Sequence, residues 1–345
     1  MAPRRRMGPS EMVLALTVAR RYYLDGRSKV EIASEFALSR FKIARLLEMA
    51  QEQGLVRIEI SHPGNIDLVL SAQLQSRFGL RRALVIEAGD VVGHSLRQQL
   101  GQAAADLLSE VVGPDDVVGL AWARTVSAMA TQIQQLPSVP VVQLTGALSP
   151  TSGTSSSIVD DNPIDVVREF ARVSRGPAHL FFAPFLVRDA STADALRRQP
   201  DVSRALSHFA SVTKAVVGIG QWGPGTSTLY DAASATDRQS LVGEQVCAEL
   251  SGVFISAGGT PLRTSLTDRL VGIDAGQLQA VDEVIAISYG VEKLPAVLAA
   301  LRSGLITSLV THSTLAAALL TEPEDGPGDG RPRVGESVAP EGLPK

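Results

Sequence analysis

Apolar positions along the chain follow two rhythms. Between residues 10 and 53 they recur three or four apart, the spacing of one face of an α-helix. Met12–Leu24 reads as a first helix, ended by Asp25-Gly26. A second helix is predicted from Ser28-Lys29-Val30-Glu31, because serine with glutamate three residues on is a capping box. Ile32, Ala33 and Phe36 give it an apolar face. Ser39 can cap a third helix, Arg40 to about Gln53, whose Ile43, Leu46 and Leu47 share a face. Gly54 stops it, and Leu55–Ile60 alternates like a short strand, a candidate wing.

The second rhythm is one of short apolar runs rich in Val and Ile. They fall at Ala83–Glu87, Val117–Ala121, Val139–Thr145, Leu180–Ala183, Ala215–Ile219, Val253–Ser256, Val284–Ser288 and Leu305–Thr311. Stretches of helical spacing separate most of them, such as Leu96, Leu100, Ala103, Leu107 and Leu108. Near-continuous apolar strands alternating with helices predict a mostly parallel sheet covered on both faces, a Rossmann-like α/β domain. The expected organisation is a winged helix-turn-helix at 10–60, a connecting helix within 61–80, an α/β domain at 81–321 and a disordered tail at 322–345. The connecting helix rests on Leu70, Leu74 and Phe78, four apart, and the tail on its Glu, Asp, Gly and Pro content.

Composition adds little until the charge is divided. At 345 residues, with 45% hydrophobic and 20% charged residues, the chain suits two ordinary globular domains. A single cysteine, Cys247, excludes an internal disulfide, fits a reducing cytoplasm, and reads as an inert thiol in an apolar stretch. The basic start has no apolar segment behind it, and no run approaches the roughly 18 apolar residues that cross a bilayer, so no membrane role is expected. Residues 1–60 hold 11 Lys and Arg against 7 Asp and Glu, a balance of +4, whereas the remainder holds 21 against 29, a balance of −8. A basic head on an acidic body implies that only the head meets a polyanion.

Two short helices joined by a tight turn form the arrangement in which the second helix enters the major groove of double-stranded DNA. The positions near its start hold Ser39, Arg40, Phe41, Lys42 and Arg45, with Ser28 at the start of the preceding helix. Arg and Lys donate to guanine edges or phosphates, and an aromatic ring can touch a thymine methyl.

At this point the chain resembles the SorC family of sugar-responsive transcriptional regulators. The resemblance is carried by Glu31–Leu47 and Gly54–Ile60 in the head, then by Val118–Thr125, Val142–Gly146, Ala183-Pro184, Val217–Gly220, Val246–Gly252, Glu292-Lys293 and Ala300–Ile306. It spans about residues 12–320. The resemblance implies a sugar-isomerase-like α/β effector domain that binds a phosphorylated sugar, and homodimers or homotetramers on operator DNA. Repression is the commoner behaviour in such a family. Departures at Ala121, Ala123, Gly290 and Ser149–Ser157 bear on which effector is bound.

The candidate effector residues gather at strand ends. Arg124 and Thr125 follow Val117–Ala121, where an open α/β sheet places its ligands, and supply a cationic fork and a hydroxyl. Gln143, Thr145 and Gly146 end the next strand, and Gly218 and Gly220 end another. Glu249 can accept bonds from sugar hydroxyls, and Lys293 can reach a phosphate. Two other readings compete. A sugar-phosphate isomerase or deaminase with a DNA-binding head needs a placed acid/base pair, and the five histidines (62, 94, 179, 208, 312) form none with an Asp or Glu. No metal-ligand spacing occurs and no cofactor is expected. A nucleic-acid adaptor without an effector would keep the same thermal stability with any phosphorylated sugar, whereas a sensor is stabilised by its ligand.

Overall fold

The computed structural model describes residues 8–56, 65–89, 92–148 and 162–323. Contacts divide the chain into two compact units, residues 1–63 and 64–345. In the first, α1 (Pro9–Tyr23), α2 (Lys29–Glu35) and α3 (Arg40–Glu52) pack around Ala15, Val18, Ile32, Ile43, Leu46 and Leu47. Their boundaries follow from the side chains that satisfy helix ends. The Ser28 N–H donates to Glu31 Oε2 at 2.8 Å, and the Glu31 N–H donates to Ser28 Oγ at 3.3 Å. That exchange partners two of the N–H groups a first turn leaves free, and it holds the Glu31 carboxyl below its usual pKa. At α3 the Lys42 N–H donates to Ser39 Oγ at 3.2 Å.

The turn between α2 and α3 carries no glycine. The chain reverses at Ala37, with φ +52°, while the Leu38 N–H donates to Ala33 O at 2.9 Å and the Ala37 N–H to Ser34 O at 3.4 Å. This double closure is the Schellman ending, which glycine ordinarily supplies because an L-residue is strained there. Beyond Val56 the expected wing lies outside the described residues, as do the Ser149–Ser157 stretch and the tail beyond Pro323.

The second unit is built on a seven-stranded sheet. Its strands are β1 (Arg82–Ile86), β2 (Val118–Leu120), β3 (Val141–Gln143), β4 (Ala178–His179), β5 (Lys214–Gly218), β10 (Glu283–Ile287) and β11 (Ser308–His312). They lie in the order β1-β11-β10-β5-β2-β3-β4, every neighbouring pair parallel. Ile285 and Ile287 face a core shared with α5 (Gly93–Val111), α6 (Arg124–Ala130) and α7 (Pro163–Ser174). Val284 and Ala286 face the other core, with α4 (Leu68–Phe78), α13 (Leu294–Arg302) and α14 (Ser313–Thr321). Burial on both faces is why these strands read as unbroken apolar runs. The helix expected near 66–78 is α4, which packs on β1 and α14 within this unit. Of the remaining helices, α8 (Ala190–Arg197) and α9 (Pro200–Ser207) follow β4, and α12 (Ala275–Gln279) precedes β10.

Two apolar runs part from the expected sheet. Leu180–Ala183 is not a strand: β4 ends at His179, and Phe181 then turns into the core, its N–H donating to Gln143 Oε1 at 3.3 Å. Val253–Ser256 is β8, and it belongs to a second, antiparallel sheet, β6-β7-β8-β9. The partners are β6 (Gly220–Gln221), β7 (Val246–Leu250) and β9 (Pro261–Leu262). Only Ser251 and Gly252 separate β7 from β8, and two residues can join strands only antiparallel. Between β6 and β7 lie α10 (Thr228–Ala232) and α11 (Ala235–Ser240).

From β2 the chain steps outward through β3 to β4. It then returns to the other side of β2 and builds β5, β10 and β11, closing on β1. Chain segments leaving β2 and β5 therefore diverge, which opens a crevice at the carboxyl ends of those two strands.

Candidate functional site

The exposed start of α3 is the candidate nucleic-acid interface. Ile43, Leu46 and Leu47 bury one side of the helix, so Arg40, Phe41 and Arg45 are left facing solvent. Phe41 is 87% exposed, a large apolar ring left uncovered among the described residues of its unit. Ser39 is taken up as the cap, and its hydroxyl proton stays free to donate. Ser28 is likewise exposed and used as a cap. Lys42 differs from its neighbours: Nζ lies 3.6 Å from Glu11 Oε1 on α1, so its charge is partly met inside the head.

In the second unit a cleft opens where β2 and β5 end. Of the nine effector candidates, six line it: Arg124, Thr125, Gly218, Gly220, Glu249 and Lys293. They reach it from four separate stretches of chain. Trp122–Thr125 follows β2, Gly218–Gly220 joins β5 to β6, Glu249 lies in β7, and Lys293 follows β10.

Each charged group already has a partner. The Arg124 guanidinium donates to Asp231 Oδ2 at 3.1 Å and to Gly225 O at 3.3 Å. Asp231 Oδ1 in turn accepts the Gly225 N–H at 2.8 Å, tying the loop before α10 to the same carboxylate. Lys293 Nζ donates to Ile219 O at 2.9 Å and lies 5.5 Å from the centre of the Tyr289 ring. Burial, together with the charge of Arg124, pulls the Lys293 ammonium down to about 8. Glu249 is buried, with Oε1 accepting the Gly252 N–H at 2.6 Å and Oε2 accepting the Ser227 hydroxyl at 3.2 Å. Burial pushes its carboxyl up, against the pull of those bonds and of Lys293.

The glycines are explained by close approach. A Cβ on Gly218 would stand 2.6 Å from the Ala123 Cβ, and one on Gly220 would stand 2.8 Å from Glu249 Oε2. Gly220 thus makes room for the carboxylate that faces it in the β6–β7 pairing.

Gln143, Thr145 and Gly146 do not line the cleft; their polar groups are spent on holding its wall. Buried Gln143 donates from Nε2 to Thr145 O at 2.8 Å, and Thr145 Oγ1 accepts the Trp122 N–H at 3.1 Å. The Gly146 N–H donates to Val271 O at 3.0 Å. The effect is to fix the loop that carries Arg124. Reading the sequence assigned no site role to Phe185, Asp231, Ser251, Tyr289 or Glu292, nor to Arg97, whose Nε donates to the Tyr289 hydroxyl at 3.2 Å. Tyr289 and Glu292 lie beside Lys293 and were within reach of inspection; Phe185, Asp231 and Ser251 are brought in only by the fold. His312 has a structural part, its Nε2 accepting the Gly290 N–H at 3.1 Å and so fixing the turn before Lys293. His179 and His208 stack with ring centres 3.5 Å apart, and neither lines the cleft. Cys247 is half-buried, and burial raises its thiol pKa, as suits an unreactive group.

Residues 64–321 match the family described as "Putative sugar-binding domain" (Sugar-bind). That match spans the sheet, both cores and the whole cleft. The chain belongs to the SorC family of sugar-binding transcriptional regulators. It is 26% identical to the sorbitol operon regulator of Klebsiella pneumoniae over 311 residues, 89% of this chain and 97% of that protein. It is 29% identical to the transcriptional regulator LsrR of Enterobacter sp. strain 638 over 315 residues, 90% of this chain and 94% of that one. The crystal structure of the full-length K. pneumoniae sorbitol operon regulator SorC superposes with a TM-score of 0.68 at 25% identity, covering 90% of this chain and all of that one. These SorC-family relatives include the helical head, and they are named as regulators rather than enzymes. No helix among the described residues is long and apolar enough to cross a membrane.

Proposed function

We propose that this regulator binds double-stranded operator DNA as a homodimer or homotetramer in the cytoplasm, and that a phosphorylated sugar in the cleft between β2 and β5 controls that binding. In the head, Arg40, Phe41 and Arg45 read base edges, while Ser28, Ser39 and Lys42 lie where phosphates pass. In the cleft, Arg124, Thr125 and Lys293 take the phosphate and Glu249 takes sugar hydroxyls. Gln143, Thr145 and Gly146 act behind them as support, and Gly218 and Gly220 let the ligand approach the backbone.

The observation that carries this reading is the division of the cleft into a cationic end and an acidic end. Thr125 lies beside Gly218, Lys293 Nζ bonds Ile219 O, and Glu249 faces Gly220. Gly218 and Gly220 thus mark the two ends, with Lys293 between them at Ile219, and two residues of extended chain span about 7 Å. A pentose or hexose with one terminal phosphate has that length and that order of charge and hydroxyl. The relatives' names point the same way, one a regulator of a sorbitol operon.

The effector must bind the DNA-competent and DNA-incompetent arrangements with different affinity if it is to switch the protein. Release of DNA on sugar binding makes the regulator a repressor. The test has two arms on the full chain. A thermal-shift screen of phosphorylated sugars should find a ligand that raises the melting temperature, since saturation at about 100 Kd contributes about 2.7 kcal/mol. Selection from random duplex DNA should enrich paired half-sites about 10 base pairs apart or at multiples of that spacing, and the same sugar should weaken their binding. An absence of any enriched sequence sinks the DNA reading, and an absence of any stabilising sugar sinks the effector reading.

A further inference from the structure

Ser251 combines three features that its surroundings do not explain. It occupies the two-residue turn between β7 and β8, where Leu250 pairs with Val253. Its φ of +54° and that of Gly252, +90°, form the turn type that favours Asn, Asp or Gly at the first position. Serine is therefore not there for the turn. The residue is 7% exposed and lines the cleft, as do Phe185 and Glu249. The hydroxyl oxygen is buried without a hydrogen bond. Gln99, Ser127, Gln221, Ser288 and Thr311 also hold such an atom, but of these residues only Ser251 lines the cleft. A buried hydroxyl left unpaired is costly, and one carried by a cleft-lining residue gains a partner when a ligand packs against it.

We propose that Ser251 reads one hydroxyl of the bound sugar and makes the cleft select that sugar over its monodeoxy counterpart. This rests on the cleft being the sugar-phosphate site. The chemistry follows from the neighbours. Both oxygens of Glu249 already accept bonds, from the Gly252 N–H and the Ser227 hydroxyl, so the carboxylate sets the polarity of this end. The Ser251 hydroxyl, able to donate and to accept, completes the recognition of a hydroxyl, which does both as well. A ligand with hydrogen at that carbon leaves Ser251 unpaired and dry, the situation in which a site built around a hydroxyl rejects its deoxy analogue.

The experiment titrates the full chain with pentose and hexose phosphates, each beside its monodeoxy derivatives, with inorganic phosphate as a probe of the cationic end. Wild type should prefer one parent sugar over one monodeoxy derivative roughly tenfold. Ser251→Ala should lose that preference and leave inorganic phosphate binding unchanged. Ser251→Gly should lose it equally while easing the turn, which separates the hydroxyl's role from backbone strain. A preference that survives in both variants, or a wild type that binds parent and derivatives alike, overturns the role of Ser251 and leaves the cleft reading standing. If neither inorganic phosphate nor any sugar phosphate binds, the cleft reading fails and takes this inference with it.

Discussion

The head and the body place their proposed site residues in opposite ways. In the head, Arg40, Phe41 and Arg45 project from one helix into solvent, and no ion pair involves either arginine among the described residues. In the body, Arg124, Lys293 and Glu249 sit in a cleft, each held by another group of the same unit. An exposed cation can meet a polyanion at little cost, because its partner is supplied by the DNA and counterions leave as it binds. A cleft residue is already oriented by a partner of its own, so its ligand must fit the bonding capacity that remains. The body is thus suited to a measured, selective response, and the head to strong binding that depends on salt.

The widest test of this contrast removes the exposed charges. Arg40→Ala with Arg45→Ala should weaken operator binding by about 100-fold or more, since each arginine that reads a base is worth about 1–3 kcal/mol. The melting temperature and the stabilisation by a sugar phosphate should stay as in wild type, because neither side chain supports the head's core. Lys42→Ala should cost less, since Glu11 already meets part of that charge. Gel-shift titration at two salt concentrations reads all of this. A double variant that binds the operator normally would remove the functional half of the comparison.

The same contrast explains what the sequence made legible. The head's helix starts were visible because capping is local: Ser28 with Glu31 and Ser39 with Lys42 are each three residues apart. The parallel strands were visible because burial on both faces writes an apolar run. The cleft was only half visible. Arg124 and Lys293 stand at strand ends and could be named, but Asp231 meets Arg124 across 107 positions and the Gln143–Phe181 bond crosses 38. No local pattern records such pairs. Gln143 and Thr145 were at the right strand end, yet whether a strand-end polar group faces the ligand or braces the loop is decided by tertiary packing. The β7–β8 hairpin was missed for a similar reason, its turn carrying serine where the usual signals are Asn-Gly or Asp-Gly.

A middle-sized effect comes from pH. Lys293 is held down to about 8 by burial and by Arg124, against an ordinary 10.5. Between those two values the unfolded chain keeps a proton that the folded chain has released, so folding stability should rise with pH across that window. Anion binding should move the other way. The ammonium is charged below about 8 and neutral above it, while a sugar phosphate is already largely dianionic at pH 7. Affinity should therefore fall roughly tenfold between pH 7 and 9. Lys293→Arg, which stays charged, should flatten the profile, as followed by calorimetric titration at each pH. A wild-type profile as flat as the arginine variant's would mean that Lys293 does not meet the anion, and that Arg124 alone supplies the cleft's cation to the ligand.

The smallest effect bears on how the head keeps α3 in place. Ala37 holds the left-handed turn between α2 and α3 at φ +52°, where an L-residue is strained by about 1–2 kcal/mol. Glycine removes that strain but loses more entropy on folding, roughly 0.5–1 kcal/mol. Ala37→Gly should thus stabilise the head by about 0.5–1 kcal/mol, seen as slower amide exchange along α2 and α3 in the full chain. Operator affinity should change less than twofold, because the Leu38 and Ala37 N–H bonds to Ala33 and Ser34 hold the same turn with either residue. If the head is instead tuned like the cleft, the methyl group has a second use: it stiffens the turn and fixes the angle at which α3 meets DNA. Glycine would then loosen DNA binding severalfold while the exchange rates still slowed, and the contrast between a simple exposed reader and a tuned cleft would have to be narrowed.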